Sequence, residues 1–523
     1  MALSTLTLND LQRAWKRVKF DLENRVFIKS PFQRDLIESD LDAWLTPILE
    51  ALQGGSVAVD PLYVAPVPKG RGLIRPGAWI PLHEHVAYTA LLGLAYPKIY
   101  AAVGGSRGRL DLAYQLRKPG EVRWLRPRFE CYDQFRRRSA AIAHKHPYVV
   151  FVDVAAYYEN INLSYLDSQL RAMGVAPDAV DCLLRMLRAW EQTPGTGLPQ
   201  GLSPSDILAK VYLDAVDRQF EASGATFVRY VDDVRIAAES EPAAKRLLVR
   251  YIELLRERGL QVQSRKTMIC PQEVALAEIN RAAPVIARIN KHYTEEVIKA
   301  LPLEDGDPYM PVFELDALVE AHPGEISDAP ITAELHNLLA TEGTEANPSI
   351  LRYLYNRLAK SSSRYGWQDL LNLLGPRPEE TAFILSHLAS VGVVAEAEPL
   401  LVQFLDSDRA VYDYQNSQIV YWMAKNIEAP SEAAILVARR LEQGNNPWYL
   451  KVAARWLLAR GGQQVDLDQM EEQHRLAPNL HREDIDLLFC LKGQERSRRN
   501  RLLGRAKDRH PMYARVEKAL KNV

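Results

Sequence analysis

Short runs of β-branched and aromatic residues alternate with longer helical patterns in the first half of the chain. Tyr148 to Val154 is one such run, bounded on its far side by Asp153, and Phe227 to Ile236 holds two more, interrupted by Asp232-Asp233. The second stretch predicts two strands joined by a tight turn, with the carboxylates at the tip. Between and around these runs, Ser164 to Met173, Pro177 to Trp190, Ser203 to Ala222 and Glu241 to Arg258 carry apolar residues at helical spacing, and Leu260 to Ile269 reads as a further strand or strand pair. The order is β-α-β-β-α-β, which fits an antiparallel sheet backed by helices.

Upstream, Asn9 to Phe20, Asp40 to Leu52 and Glu84 to Leu94 predict helices, the first with a basic face. Tyr63 to Ile80 places Lys69, Arg71 and Arg75 among prolines and glycines, which excludes regular helix and leaves a loop or strand pair. Gly104-Gly105 opens a loop ending at Arg107-Gly108-Arg109. Trp124 to Arg138 interleaves aromatics with arginines, a mixture that suits single-stranded nucleic acid or, equally, a packed aromatic face under a solvated charged one.

From about Asn280 the strand pattern stops. A Pro- and Asp-rich connector, Leu301 to Pro311, leads into a half that is helical nearly throughout, with Ile384, Leu385, Leu388 and Leu400, Leu401, Phe404, Leu405 at helical spacing. Helix pairs recurring at roughly 30–45 residues suggest a HEAT-like α-solenoid, with an irregular bundle as the alternative. Four segments follow: 1–145, the N-terminal helices with the Tyr63 to Ile80 stretch; 146–280, with the aspartates; 281–345, connector helices; and 346–523, the helical repeats.

Composition changes the picture little. The 523 residues are 47% apolar and 25% charged, so a sizeable core is available, and the net charge of −1 leaves any nucleic-acid groove to local patches such as the basic tail from Lys492 to Arg509. Four dispersed cysteines (Cys131, Cys182, Cys270, Cys490) read as reduced thiols rather than a zinc site or disulfide framework. His83, His85, His144 and His146 lack matching ligand spacing and read as structural. The first twenty residues have no apolar leader region, and no run reads as a membrane span, so the expected setting is cytoplasmic, without a membrane.

The chemistry lies in the aspartates. A strand rarely buries an unpaired Asp, and Asp153 converging with Asp232 would hold like charges together, for which a divalent cation is the usual compensation. Alone, Asp232-Asp233 would read as a solvated turn. It does not stand alone. Tyr230-Val231-Asp232-Asp233 resembles the signature of reverse transcriptases, Leu198-Pro199-Gln200-Gly201 resembles their next most diagnostic motif, and Asp153 to Tyr158 resembles their first palm motif, in the family's order. Tyr157-Tyr158-Glu159-Asn160-Ile161 is similar to the abortive-infection (Abi) and defence-associated bacterial enzymes.

The resemblance implies an α+β fingers-palm polymerase core, with a split βαβ palm and a YVDD hairpin, followed by an all-α HEAT-like repeat domain. It implies a DNA polymerase acting in antiphage defence, using two Mg²⁺ ions (or Mn²⁺) held by Asp153, Asp232, Asp233 and the Val154 carbonyl. Asp153, Asp232 and Asp233 are the catalytic set. Lys69, Arg71 and Arg75 would hold the triphosphate of the dNTP, with Tyr158 as the steric gate against a 2′ hydroxyl, Gln200 on the nucleotide or its template partner, and Lys266 beside the leaving pyrophosphate. Where the family continues Ser-Pro-Leu-Ser after the glycine, this chain has Leu202-Ser203-Pro204-Ser205-Asp206, near where template would run. That departure argues against ordinary RNA-templated copying, and the Abi-type resemblance implies synthesis that needs no template and is primed on the protein's own hydroxyl, leaving DNA covalently attached, in a homo-oligomer. The alternatives are an RNA-templated enzyme of retron or intron type with a dedicated RNA partner, and a catalytically dead scaffold, against which the retained aspartates argue.

Overall fold

The computed structural model describes residues 2–28, 33–38, 40–105, 110–301, 312–322, 325–463, 465–469 and 472. The Arg107-Gly108-Arg109 segment, residues 302–311 of the connector, Cys490 and the basic tail lie outside them. The chain divides into two compact units: Met1–Lys29, Ile37–Ala65 and Pro76–Asn280 form the first, and Ser30–Leu36, Pro66–Arg75 and Arg281–Val523 the second.

The first unit opens with α1 (Leu8–Asn24) and continues in α3 (Leu41–Gln53); between them in the chain, α2 (Gln33–Glu38) is grouped with the second unit as far as Leu36. Thr7 and Asp10 form a reciprocal capping box at the start of α1, satisfying amides that the helix leaves without partners. The strand pair read from Tyr63 to Ile80 is the hairpin β1 (Tyr63–Lys69) and β2 (Leu73–Trp79). Next comes α4 (Leu82–Val103), longer at both ends than its sequence pattern shows. Among the described residues α4 alone is long and apolar enough to cross a membrane, which corrects the reading that no run approaches that length. Most of that stretch is buried inside the protein, and burial on several sides explains why the helix has no polar stripe.

After α5 (Arg128–Lys145) the chain enters the central strand β3 (Tyr148–Asp153). Helices α6 (Leu163–Ala172), α7 (Pro177–Ala189) and α8 (Ser203–Ala222) lead to β4 (Phe227–Tyr230) and β5 (Asp233–Ala238). Helix α9 (Glu241–Arg256), strand β6 (Met268–Pro271) and α10 (Gln272–Ile279) complete the unit. The sheet order is β4-β5-β3-β6, antiparallel throughout. Val149, Val150 and Val152 are fully buried, so β3 is covered on both faces and reads as a continuous apolar run. Val149 and Phe151 pack with Ala143 of α5 and with Cys270 and Ala275. Asp153, two residues further, projects from the same face of the strand.

The second unit is helical: α11 (Ala283–Ala300), α12 (Val312–Ala321), α13 (Ala329–Glu342), α14 (Pro348–Lys360), α15 (Trp367–Asn372), α16 (Thr381–Ser390), α17 (Val394–Leu405), α18 (Asp413–Asn426), α19 (Glu432–Gln443) and α20 (Trp448–Gly461). From α14 onward the packing is periodic: α14 on α16, α16 on α18, α18 on α20, and α17 on α19. Each pair buries one apolar stripe, such as Ile384, Leu385 and Leu388 of α16. Cys131, Cys182 and Cys270 are free and buried.

Candidate active site

The register of the sheet builds the site. Asp153, the last residue of β3, pairs with Asp233, the first of β5. Tyr230 pairs with Asp233, so Val231 and Asp232 alone make the turn. Val231 sits at φ 57°, a left-handed conformation that costs a β-branched residue about 1–2 kcal/mol. Neighbours hold the turn in place. The Val154 amide donates to the Asp232 carbonyl across 3.0 Å, and Arg229 Nη1 donates to the Val231 carbonyl across 2.8 Å.

Arg229 is itself enclosed, at 1% exposure. Its guanidinium donates through Nε to Asp217 Oδ1 (3.0 Å) and through Nη2 to Asp217 Oδ2 (2.6 Å) and Asp111 Oδ2 (2.8 Å). Lys210 Nζ lies 2.8 Å from the same Asp111 oxygen. Four buried charges thus cancel in pairs, and the backbone joins in, with Leu112 N–H donating to the Arg229 carbonyl and Arg229 N–H to that of Leu110. Desolvated groups of this kind persist only when paired and hydrogen-bonded.

Burial first, and the Asp153 carboxylate second, push Asp232 up to about 6. Lys266 Nζ donates to Asp153 Oδ1 across 2.8 Å. Its ammonium stays above the ordinary lysine value: partial burial lowers it, and the bond to Asp153 outweighs that. Asp233 Oδ1 accepts from Arg235 at 2.9 Å. Among the described residues no group of three or more His, Cys, Asp or Glu side chains stands at metal-holding spacing. The donor chemistry nevertheless suits a hard cation: two carboxylates, one of them raised by burial and by the other's charge, with Lys266 as their present counter-charge.

A second cluster surrounds Tyr158. Tyr157 is the packed member of the pair, buried and hydrogen-bonded to the Ala209 carbonyl. The Tyr158 hydroxyl donates to Asp206 Oδ1 across 2.6 Å and lies within hydrogen-bond distance, 3.2 Å, of the Tyr114 hydroxyl. Asp206 also takes an ion pair from Arg25 and a longer one from Arg128, at 3.8 Å. Burial raises the Asp206 carboxyl, and Arg25 and Arg128 oppose it. Arg25 ends α1, and one turn earlier Asp21 accepts from the Ser203 amide at 2.8 Å, at the start of α8.

The Leu198-Pro199-Gln200-Gly201 loop is tied to this cluster by Leu198 N–H, which donates to the Tyr158 carbonyl across 2.9 Å. Gly201 has φ +97°, and a Cβ there would stand 2.9 Å from the Phe27 ring and 3.3 Å from the Arg25 carbonyl, so only glycine fits. Gln200 lines an open pocket with Pro199, Trp190, Leu62, Pro76 and Glu159.

The first unit therefore assembles Asp153, Val154, Asp232, Asp233 and Lys266 at one sheet end, with Tyr158 and Gln200 linked through the loop. Lys69, Arg71 and Arg75 are not brought to the carboxylates within it; the hairpin tip that carries them is grouped with the second unit, where Gly70 lies against Glu379. Sequence reasoning missed Arg25 and Arg229, and it placed Arg128 in the aromatic and arginine stretch without its approach to Asp206. Asp206 was visible only as a departure from the expected loop, and nothing local marked Arg25 as its partner.

Residues 114–277 match the family model described as reverse transcriptase (RNA-dependent DNA polymerase), a span that contains Asp153, Asp206, Asp217, Asp232, Asp233, Lys266 and the Leu198–Gly201 loop but not Asp21 or Asp111. Sheet, site and match together define a nucleotidyltransferase of the polymerase class. More particularly, this chain carries a reverse transcriptase domain. No curated protein matches it. Similar solved structures include telomerase from Candida albicans in complex with the TWJ fragment of telomeric RNA, at 11% identity over 78% of this chain and 70% of that one, with TM-score 0.32. Telomerase from Candida tropicalis with the same fragment matches at 13% identity over 76% and 68%, TM-score 0.33. Apo telomerase from Candida tropicalis matches at 10% over 80% and 73%, TM-score 0.32. Likeness at this level carries no functional weight.

Proposed function

We propose that this protein polymerises dNTPs into DNA at the Asp153–Asp232 site. The observation that carries this is the crowding of those two carboxylates at a sheet end inside a reverse transcriptase domain, where burial first and Asp153 second raise Asp232. Such crowding is destabilising unless it serves to bind positive charge. Asp153 and Asp232, supported by Asp233 and the Val154 carbonyl, would hold two Mg²⁺ ions, which supply charge compensation at the attacking hydroxyl and the leaving pyrophosphate. Lys266, already on Asp153, stands ready to neutralise or protonate the departing pyrophosphate. The Tyr158 ring, fixed by Asp206, forms a floor that a 2′ hydroxyl would strike. Gln200 faces the nucleotide or its partner base.

Two finer readings each have support. The Abi-type reading, an untemplated, self-primed polymerase of antiphage defence, is supported by Asp206: a carboxylate, locked by Arg25 and Tyr158, stands where the family's loop would meet template. The periodic packing from α14 to α20 supports its HEAT-like repeat, which offers a face for self-assembly. The RNA-templated reading is supported by the description of the matched family itself. Incubation with labelled dNTPs, with and without an RNA template and primer, followed by a denaturing gel, separates them. Label that stays on the protein without added primer supports the first. Free product that appears only with RNA supports the second. No incorporation under either condition overturns the polymerase.

A further inference from the structure

One exposed surface of the first unit is not used by this chemistry. Helix α5 begins with Arg128 and Phe129 and carries Tyr132 one turn later. Tyr132 is the surface neighbour of both Phe129, three residues before it, and Arg128, four before, so the three side chains border one another around Tyr132. Phe129 is 74% exposed and Tyr132 54%, large rings where a solvated helix would carry polar groups. The Arg128 side chain is 57% exposed, and among the described residues its one ion pair is the long 3.8 Å approach to Asp206. Arg136 and Arg137, further along, are spent on Asp133 at 2.9 and 2.8 Å.

The stripe is continuous with the reaction site at both ends. The Tyr132 ring stands edge-on to Tyr230 at 5.4 Å, and Tyr230 leads directly into the Val231–Asp232 turn. Arg128 reaches the carboxylate that fixes Tyr158. A purely apolar protein partner would leave Arg128 with nothing to bind. A single nucleic-acid strand uses all three groups, because every base has a face that stacks on a ring and every phosphate suits a guanidinium. We propose that this stripe binds single-stranded DNA, the 3′ portion of the growing strand, with bases on Phe129 and Tyr132 and a phosphate on Arg128. The proposal rests on the reading of the protein as a DNA polymerase and names where its product strand lies.

The test is fluorescence anisotropy of the full chain with a labelled oligo-dT, in the absence of divalent metal. Removing both rings in Phe129→Ala/Tyr132→Ala should raise Kd by about tenfold or more. Tyr132→Phe should bind as the parent does, since the ring remains. Arg128→Ala should lower the slope of log Kd against log salt by about 1. Thermal melting verifies that the double variant folds, as expected for two exposed rings. A folded double variant with unchanged Kd overturns the proposal, and so does a parent that binds oligo-U and not oligo-dT, or neither. Failure of the polymerase reading is seen separately, as a parent that incorporates no dNTP whatever its Kd. Asp232→Asn should keep the parental Kd while losing incorporation, which divides binding from chemistry.

Discussion

Arg229 donates to the carbonyl of Val231 across 2.8 Å, and so ties the strained turn of the catalytic hairpin to a buried cluster of four charges. That anchor acts together with the Val154 amide, which donates to the Asp232 carbonyl across 3.0 Å, to hold the turn in place. A displacement of about 1 Å at a reacting centre can cost about a hundredfold in rate.

Arg229→Lys should therefore lower dNTP incorporation by about ten- to a hundredfold per folded molecule. Lysine keeps the charge but cannot serve Asp217, Asp111 and the Val231 carbonyl together, because it lacks the planar fork. Arg229→Ala should cost about 3–5 kcal/mol of stability, since Asp217 is left buried and unpaired. A lysine variant with a lowered melting point but an undiminished turnover number would reduce Arg229 to a packing role.

Asp153→Asn and Asp232→Asn should each abolish incorporation without unfolding the protein. The Asp232 variant carries a further signature. Its carboxyl is raised above the ordinary value by burial and by Asp153, to about 6. The native state then binds the proton more tightly than the unfolded state, so stability falls as pH rises from about 4 through 6. At pH of about 7 without metal, Asp232→Asn should be more stable than the parent by roughly 2 kcal/mol. Calorimetry in a chelator checks this, and a less stable variant would mean the carboxylates are not in conflict.

Tyr158→Ala should admit ribonucleotides that the parent rejects, whereas Tyr158→Phe should keep discrimination while losing the bond to Asp206. Competition between dCTP and CTP in one reaction measures the ratio. If the alanine variant discriminates as the parent does, the ring serves packing and another residue sets sugar choice.

The helical unit has its own pH response. His387 is buried with its ring 4.9 Å from that of Tyr355, and burial lowers its pKa to about 4. Below the unfolded value of about 6.5 the unfolded chain gains a proton that the native state refuses, so stability falls as pH drops towards 4. The loss should reach about 3 kcal/mol. His387→Phe should remove that part of the acid sensitivity in melting curves between about pH 7 and 4. Parallel curves for parent and variant would show that His387 titrates normally.

The sequence by itself determined the elements nearest the chemistry. Val149 to Val152 form a strand because β-branched residues covered on both faces need no polar alternation, and the apolar spacing after Ser203 makes a helix of Ser203–Ala222. A turn at the aspartates was legible for the same local reason, but its residues are Val231 and Asp232, and Asp233, expected at the tip, is the first residue of β5, paired with Tyr230 and Asp153. Apolar pattern also marked where strands give way to helices, near Asn280. What only the tertiary structure decided is which charges meet. Arg25 and Asp206 lie 181 residues apart in the chain, and Arg229 and Asp111 are separated by 118. Periodicity reports which face of an element is buried and says nothing of which distant element covers it. For a charge inside a protein that covering partner is decisive, because desolvation leaves each buried ion dependent on the one group close enough to compensate it. The grouping of Lys69, Arg71 and Arg75 with the helical unit, and of Tyr158 with Asp206, belongs to this second kind of information.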